Sequence, residues 1–124
     1  MANPMYGSNR DDGFLNQSCV VMESKALSAA NQQYVTFPWR CKVVKIYYAV
    51  NVALTTAKST ITLKSGTGSM AGTHEIAHEA AIGTVGSFSP TSNQIIEAGA
   101  ALEIENDASP GAGQVVWSII VEAA

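Results

Sequence analysis

His74-Glu75-Ile76-Ala77-His78 sets two imidazoles four positions apart, with a carboxylate beside the first. On a helix that spacing brings both rings to one face, near enough to share one zinc ion, and leaves Glu75 as general base for a metal-bound water. Thr73 would cap such a helix, Glu75 falls in its first turn, and Gly83 would close it. On a strand the same residues behave differently. His74, Ile76 and His78 then share one face, the outer two stand about 13 Å apart at ~3.3 Å per residue, and no single metal bridges them.

The pentapeptide resembles the zinc signature of zincin peptidases, over those five residues alone. The third ligand is missing. No histidine follows His78, Gly83 does not fit the metzincin continuation, and Glu97 lacks a second helix to present it. A 124-residue chain whose other segments read as strands also has no room for the helical scaffold of such sites. A zinc peptidase working through His74, Glu75 and His78 is therefore the outlying alternative. Both histidines are expected on a strand, facing solvent or an interface.

Gly66, Gly68 and Ala71 follow a strand-like run and match the loosest dinucleotide fingerprint. That site needs a sustained helix and a parallel return strand, and the short stretch 74–82 after Gly72 supplies neither, so a hairpin loop is expected. No G-x-S-x-G elbow occurs, and Cys19 and Cys41 have no basic neighbours beyond Arg40 and Lys42. Asp11 and Asp12 fall in a turn-rich stretch. No catalytic, metal-ligating or cofactor-binding residue is assigned, and the chain is not expected to be an enzyme or to carry a cofactor.

The elements that position these residues read as strands. Charged residues make up 14% of the chain, and no apolar stripe recurs at helical spacing. The length suits one domain that buries a core without staples. A net charge of -3 with seven scattered basic residues argues against nucleic acid or an anionic membrane as partner. No leader pattern opens the chain and no apolar run reaches membrane length, so it is expected to be made and used without export. Two cysteines are too few for a disulfide scaffold. In a reducing compartment they are expected to be buried thiols, open to later oxidation if they end up outside a cell.

The last third, residues 93–121, holds two apolar runs around a segment rich in Asn, Asp, Ser, Pro and Gly, and predicts two antiparallel strands joined by a turn. Leu102 and Ile104 alternate with Glu103 and Glu105. Val115, Trp117, Ile119 and Val121 share one face, and the apolar Val116 and Ile120 on the other suggest cover on both sides. Gly99 sits where a positive φ is often required. Residues 41–54 predict the longest strand, with Val44, Ile46, Tyr48, Val50, Val52 and Leu54 as its core face and Tyr47 on the other. Residues 19–22, 34–37 and 60–64 add strands, the last with Ile61 and Leu63 inward. Residues 25–33 form a helical turn or loop, and 83–93 a loop with one short strand. Seven or eight strands between turn signals make an all-β, antiparallel β-sandwich over residues 19–124.

Residues 1–18 lack the means to bury a face and are expected to form an extended N-terminal arm. Met5, Tyr6, Phe14 and Leu15 are its candidate anchors on a neighbouring subunit. Trp39 and Tyr47 are the candidate interface residues of the domain itself.

Phe37-Pro38-Trp39-Arg40-Cys41 with the run to Tyr47, the loop 83–93, the turn Glu97-Ala98-Gly99, and Leu102 to Glu105 with Asp107-Ala108-Ser109 together resemble the decoration, or cement, proteins of bacteriophage heads. The resemblance spans residues 34–121 as a succession of elements, and Ala100 stands where such proteins usually carry an aspartate. It implies a β-sandwich, jelly-roll-like subunit on the outer surface of an icosahedral capsid, synthesised in the host cytoplasm. The implied partner is the major capsid protein, bridged by a homo-oligomer, a trimer first and a dimer second. The alternative is a receptor- or glycan-binding module of a virion surface or tail, with Tyr6, Trp39 or Phe88 lining a groove.

Overall fold

The computed structural model describes residues 17–66, 68–72 and 74–124. Among them run ten strands: β1 (Gln17–Glu23), β2 (Asn31–Thr36), β3 (Cys41–Thr55), β4 (Ser59–Ser65), β5 (Gly68–Ser69), β6 (His74–Ile76), β7 (Val85–Phe88), β8 (Ile95–Ile96), β9 (Ala101–Asn106) and β10 (Ala112–Ala123). They form two antiparallel sheets. The first runs β1-β10-β3-β7 with β8 also on β3, and the second β2-β9-β4-β5 with β6 also on β4. The fold is an all-β, antiparallel sandwich.

Its connectivity follows from which edges are shared. β7 and β8 lie along one edge of β3, and β5 and β6 along one edge of β4, so each pair acts as a single interrupted strand. Eight strand positions remain, and they pair from the outside in: β1 with β10, β2 with β9, β3 with β7 and β8, β4 with β5 and β6. The β10–β3 and β9–β4 ladders then close the two sheets. A nested hairpin rolled into two sheets in this way is a jelly roll.

The last third departs from the expected hairpin. β9 lies between β2 and β4 and β10 between β1 and β3, so residues 107–111 cross from one sheet to the other. Leu102 and Ile104 are one apolar face and Val115, Trp117, Ile119 and Val121 another, all buried. Opposed across the sandwich they bury each other, whereas as hairpin neighbours both would need a further cover. Polar side chains shape the crossing. Asp107 Oδ1 accepts from the Thr60 amide at 3.2 Å, and Oδ2 accepts from the Ser109 hydroxyl at 3.0 Å. Buried Asn106 donates through Nδ2 to the Ala29 and Asp107 carbonyls, both at 2.8 Å.

β3 corrects a second expectation. Its inward residues are Cys41 and Val43, then Ile46, Val50 and Leu54, and Val44 is not in the core. Between Val43 and Lys45 the register against β10 shifts, and the extra residue at Val44 is a β-bulge that reverses the alternation. A further irregularity near the other end leaves Val52 exposed and falls on Gly113, whose φ is +146°. A Cβ on Gly113 would lie 2.9 Å from Leu54 Cγ, so glycine serves both backbone and packing there. Gly99 does adopt the expected positive φ, +81°, and its amide donates to the Phe37 carbonyl at 2.9 Å.

Residues 25–30 form a loop pinned by fully buried Leu27, whose amide donates to the Gly113 carbonyl. Ile61 and Leu63 point inward as expected. Gln17 and Ser18 already pair in β1, with Glu122 and Val121. The stretch carrying Met5, Tyr6, Phe14 and Leu15, and with it most of the expected arm, lies outside the described residues.

Candidate interaction face

β6 pairs with β4 and has the alternation of a strand, so His74 and Ile76 point into the sandwich and Glu75 points out, 2.7 Å from Lys58 Nζ. His74 is 4% exposed. Its ring centroid lies 5.3 Å from that of Phe88, and Gly72 makes room for it, since a Cβ there would approach Cε1 to 2.7 Å. Burial lowers the pKa of His74, and Nε2 has no hydrogen-bond partner among the described residues. His78 sits in the following turn, exposed, 3.6 Å from the Glu79 carboxylate. His78 is exposed as expected but lies in a turn and not on a strand, whereas His74 is on the strand but buried, because the inward register of Ile76 carries it in. Among the described residues no three His, Cys, Asp or Glu side chains are grouped to hold a metal ion.

The cysteines also part company. Cys41 is fully buried, and burial raises its thiol pKa. Cys19 is exposed, against expectation, because Val20 and Met22 take the inward positions of β1.

What distinguishes the surface is the contrast between the two outer sheet faces. On the second sheet, Gln32, Glu105 and Thr62 form one cross-strand row and Tyr34, Glu103 and Lys64 the next. Lys64 Nζ lies 3.2 Å from Glu105, and the Gln32 amide, followed by Lys64, holds the Glu105 carboxyl below its usual pKa. This face is wet. The first sheet presents Val21, Ser118, Tyr47 and Ser87 in one row and Glu23, Val116, Ala49 and Val85 in the next. Val21 is 64% exposed, Tyr47 48% and Val85 74%. Charge is sparse on it: Glu23 lies on the β1 edge beside Asn51 at 3.4 Å, Lys42 stands opposite Glu122 towards one end, and Lys45 Nζ lies over the ring of Tyr47 at 5.5 Å.

A hollow of about 360 Å³ opens in this apolar face, where Ala49, Gly86, Ser87 and Ser118 adjoin the larger Tyr47, Val85 and Val116. Beneath it Tyr48 packs on Phe88 at 5.3 Å, and Phe88 lies 6.0 Å from Trp117. Trp117 Nε1 donates to Gln33 Oε1 of the other sheet at 3.4 Å. The aromatic layer is a rigid floor. A second hollow, about 320 Å³, lies by Thr60, Thr62, Glu105 and Asp107 on the opposite sheet. Its carboxylates are already engaged, Glu105 by Gln32 and Lys64 and Asp107 by Thr60 and Ser109.

Of the expected interface residues, Tyr47 stands in the middle of the apolar face. Trp39 is 45% exposed in the β2–β3 connection, beyond Cys41, which is itself about 20 Å along β3 from Tyr47 at ~3.3 Å per residue. The two do not share a patch. Phe88 is 5% exposed and belongs to the core, so the groove expected from Tyr6, Trp39 and Phe88 does not form around it. Val21, Val85 and Val116 were missed as surface residues. A signal for Val116 was present in the doubly apolar β10 run, but only the sheet order brings the three together.

Neither protein-family models, nor curated proteins, nor solved structures gave a match to this chain.

Proposed function

We propose that this chain is a structural virion protein, a bacteriophage decoration or cement protein that docks on the outside of the capsid and bridges major-capsid subunits. The observation that carries the reading is the apolar outer face of the β1-β10-β3-β7 sheet, set opposite a charged face. An exposed, largely apolar surface with few charges has the make-up of a protein contact. Jelly rolls occur widely in viral capsid and lectin domains, which is compatible with the role without assigning it. Repetition over a lattice turns a modest contact into firm attachment through multivalency.

The test is occupancy on particles. Purified virions should carry the chain in fixed ratio to the major capsid protein. Val85→Lys, which charges a 74% exposed position on the β7 side of the face, should weaken that binding at least about tenfold, the equivalent of ~1.4 kcal/mol. Soluble chain with none on particles would sink the reading. A second reading, a glycan- or receptor-binding module, draws on Tyr47 beside the 360 Å³ hollow. Saccharide binding abolished by Tyr47→Ala, with no attachment to capsids, would favour it.

A further inference from the structure

Jelly rolls leave sheet edges open, and natural proteins guard such edges with lysine, proline, bulges or short strands. Two edges here are broken and a third is polar over its first half. β7 and β8 are interrupted by residues 89–94, β5 and β6 are shorter still, and β2 is a polar strand beginning Asn31-Gln32-Gln33. β1 differs. It is the longest edge strand described, seven residues, Gln17-Ser18-Cys19-Val20-Val21-Met22-Glu23, with no lysine, proline or glycine and with an apolar centre. One side pairs with β10 in regular register; among the described residues no strand pairs with the other, where Gln33 Nε2 donates to the Glu23 carbonyl at 2.8 Å at one end.

We propose that β1 is a homodimerisation edge, pairing antiparallel with β1 of a second copy across a twofold axis at Val20. The strand is complementary to itself in that register. Val20 meets Val20 of the second copy, Cys19 meets Val21, Ser18 meets Met22, and the only charge, Glu23, meets Gln17, so no like charges are opposed. The register also keeps faces consistent: Cys19 and Val21 stay outside, and Val20 and Met22 stay against the core. A twofold contact of one patch with itself is the commonest form of oligomer.

Pairing makes one eight-stranded sheet and doubles the apolar outer face. Four strands at ~4.8 Å spacing and seven residues at ~3.3 Å give roughly 450 Å² in projection for one copy, about half of what each partner contributes to a stable interface. Two copies reach that size. The pairing itself does not depend on the capsid reading, and the two fail separately.

Sedimentation velocity on the full chain should give twice the 13.0 kDa of one chain. Val21→Lys, at a 64% exposed position, should shift it to a folded monomer with unchanged circular dichroism. Val21→Cys, which sets the new thiol opposite native Cys19 of the second copy, should give a covalent dimer on mild oxidation. A monomeric wild type overturns the proposal, as does a trimer that Val21→Lys leaves intact and Val21→Cys does not cross-link. A dimer missing from virions removes the capsid reading alone, and a monomer found on virions removes the dimer alone.

Discussion

The imidazole of His74, on one sheet, lies ring to ring with Phe88 of the other at 5.3 Å, and its buried Nε2 is without a hydrogen-bond partner among the described residues. A neutral ring fits this site, and a charged one leaves water without compensation. Burial holds the folded pKa below the ordinary 6.5, so the unfolded chain takes up the proton first. Stability is therefore full above about pH 6.5 and falls as pH drops from there towards the folded pKa. Urea unfolding at pH 8 and pH 5 should show the loss, and His74→Leu should flatten it. Carboxylates such as Glu105, whose folded pKa is depressed from 4.5, add their own loss only at lower pH. Equal pH dependence in wild type and His74→Leu would refute the assignment.

Gly86 and Tyr48 are cross-strand partners, and a Cβ on Gly86 would come within 2.5 Å of the Tyr48 hydroxyl and 2.6 Å of Cζ. Tyr48 is held on Phe88 and cannot swing away freely. Gly86→Ala is expected to cost about 1–3 kcal/mol through overpacking. The cost should shrink in a Tyr48→Leu background, as measured by a double-mutant cycle in chemical denaturation. An additive cycle would show that the clash is relieved elsewhere.

The two thiols should differ in reactivity. Cys19 is exposed on β1, whereas Cys41 is buried with its pKa raised. A thiol reagent should modify one cysteine per chain in the native protein and two after denaturation, with Cys19→Ser abolishing the native signal. Rapid native modification of Cys41 would contradict the packing around β3.

Strand identity was legible where one face is dry and the other wet. Leu102 and Ile104 against Glu103 and Glu105, or Ile61 and Leu63 between polar neighbours, declare a half-buried strand without help from the rest of the chain. Gly99 likewise announced its positive φ through its place in a turn. The alternation from Cys41 to Leu54 misled for a local reason: apolar residues occupy both parities, so a bulge at Val44 that reverses them leaves no trace in the pattern. His74 was misplaced for a related reason, since a histidine on a short strand follows the register of its neighbours.

The candidate face shows the same divide at larger scale. Val21, Tyr47, Val85 and Val116 come from four strands up to 95 positions apart in the chain, and each alone is an ordinary surface residue. By itself, then, the sequence determined an all-β sandwich, the inward residues of its amphipathic strands and the turn at Gly99, because these depend on period and backbone sterics within a few residues. Only the tertiary structure decided that β9 and β10 belong to opposite sheets, that one outer face is largely apolar, and that His74 is buried, because those depend on which strands are brought side by side and which apolar faces meet across the fold.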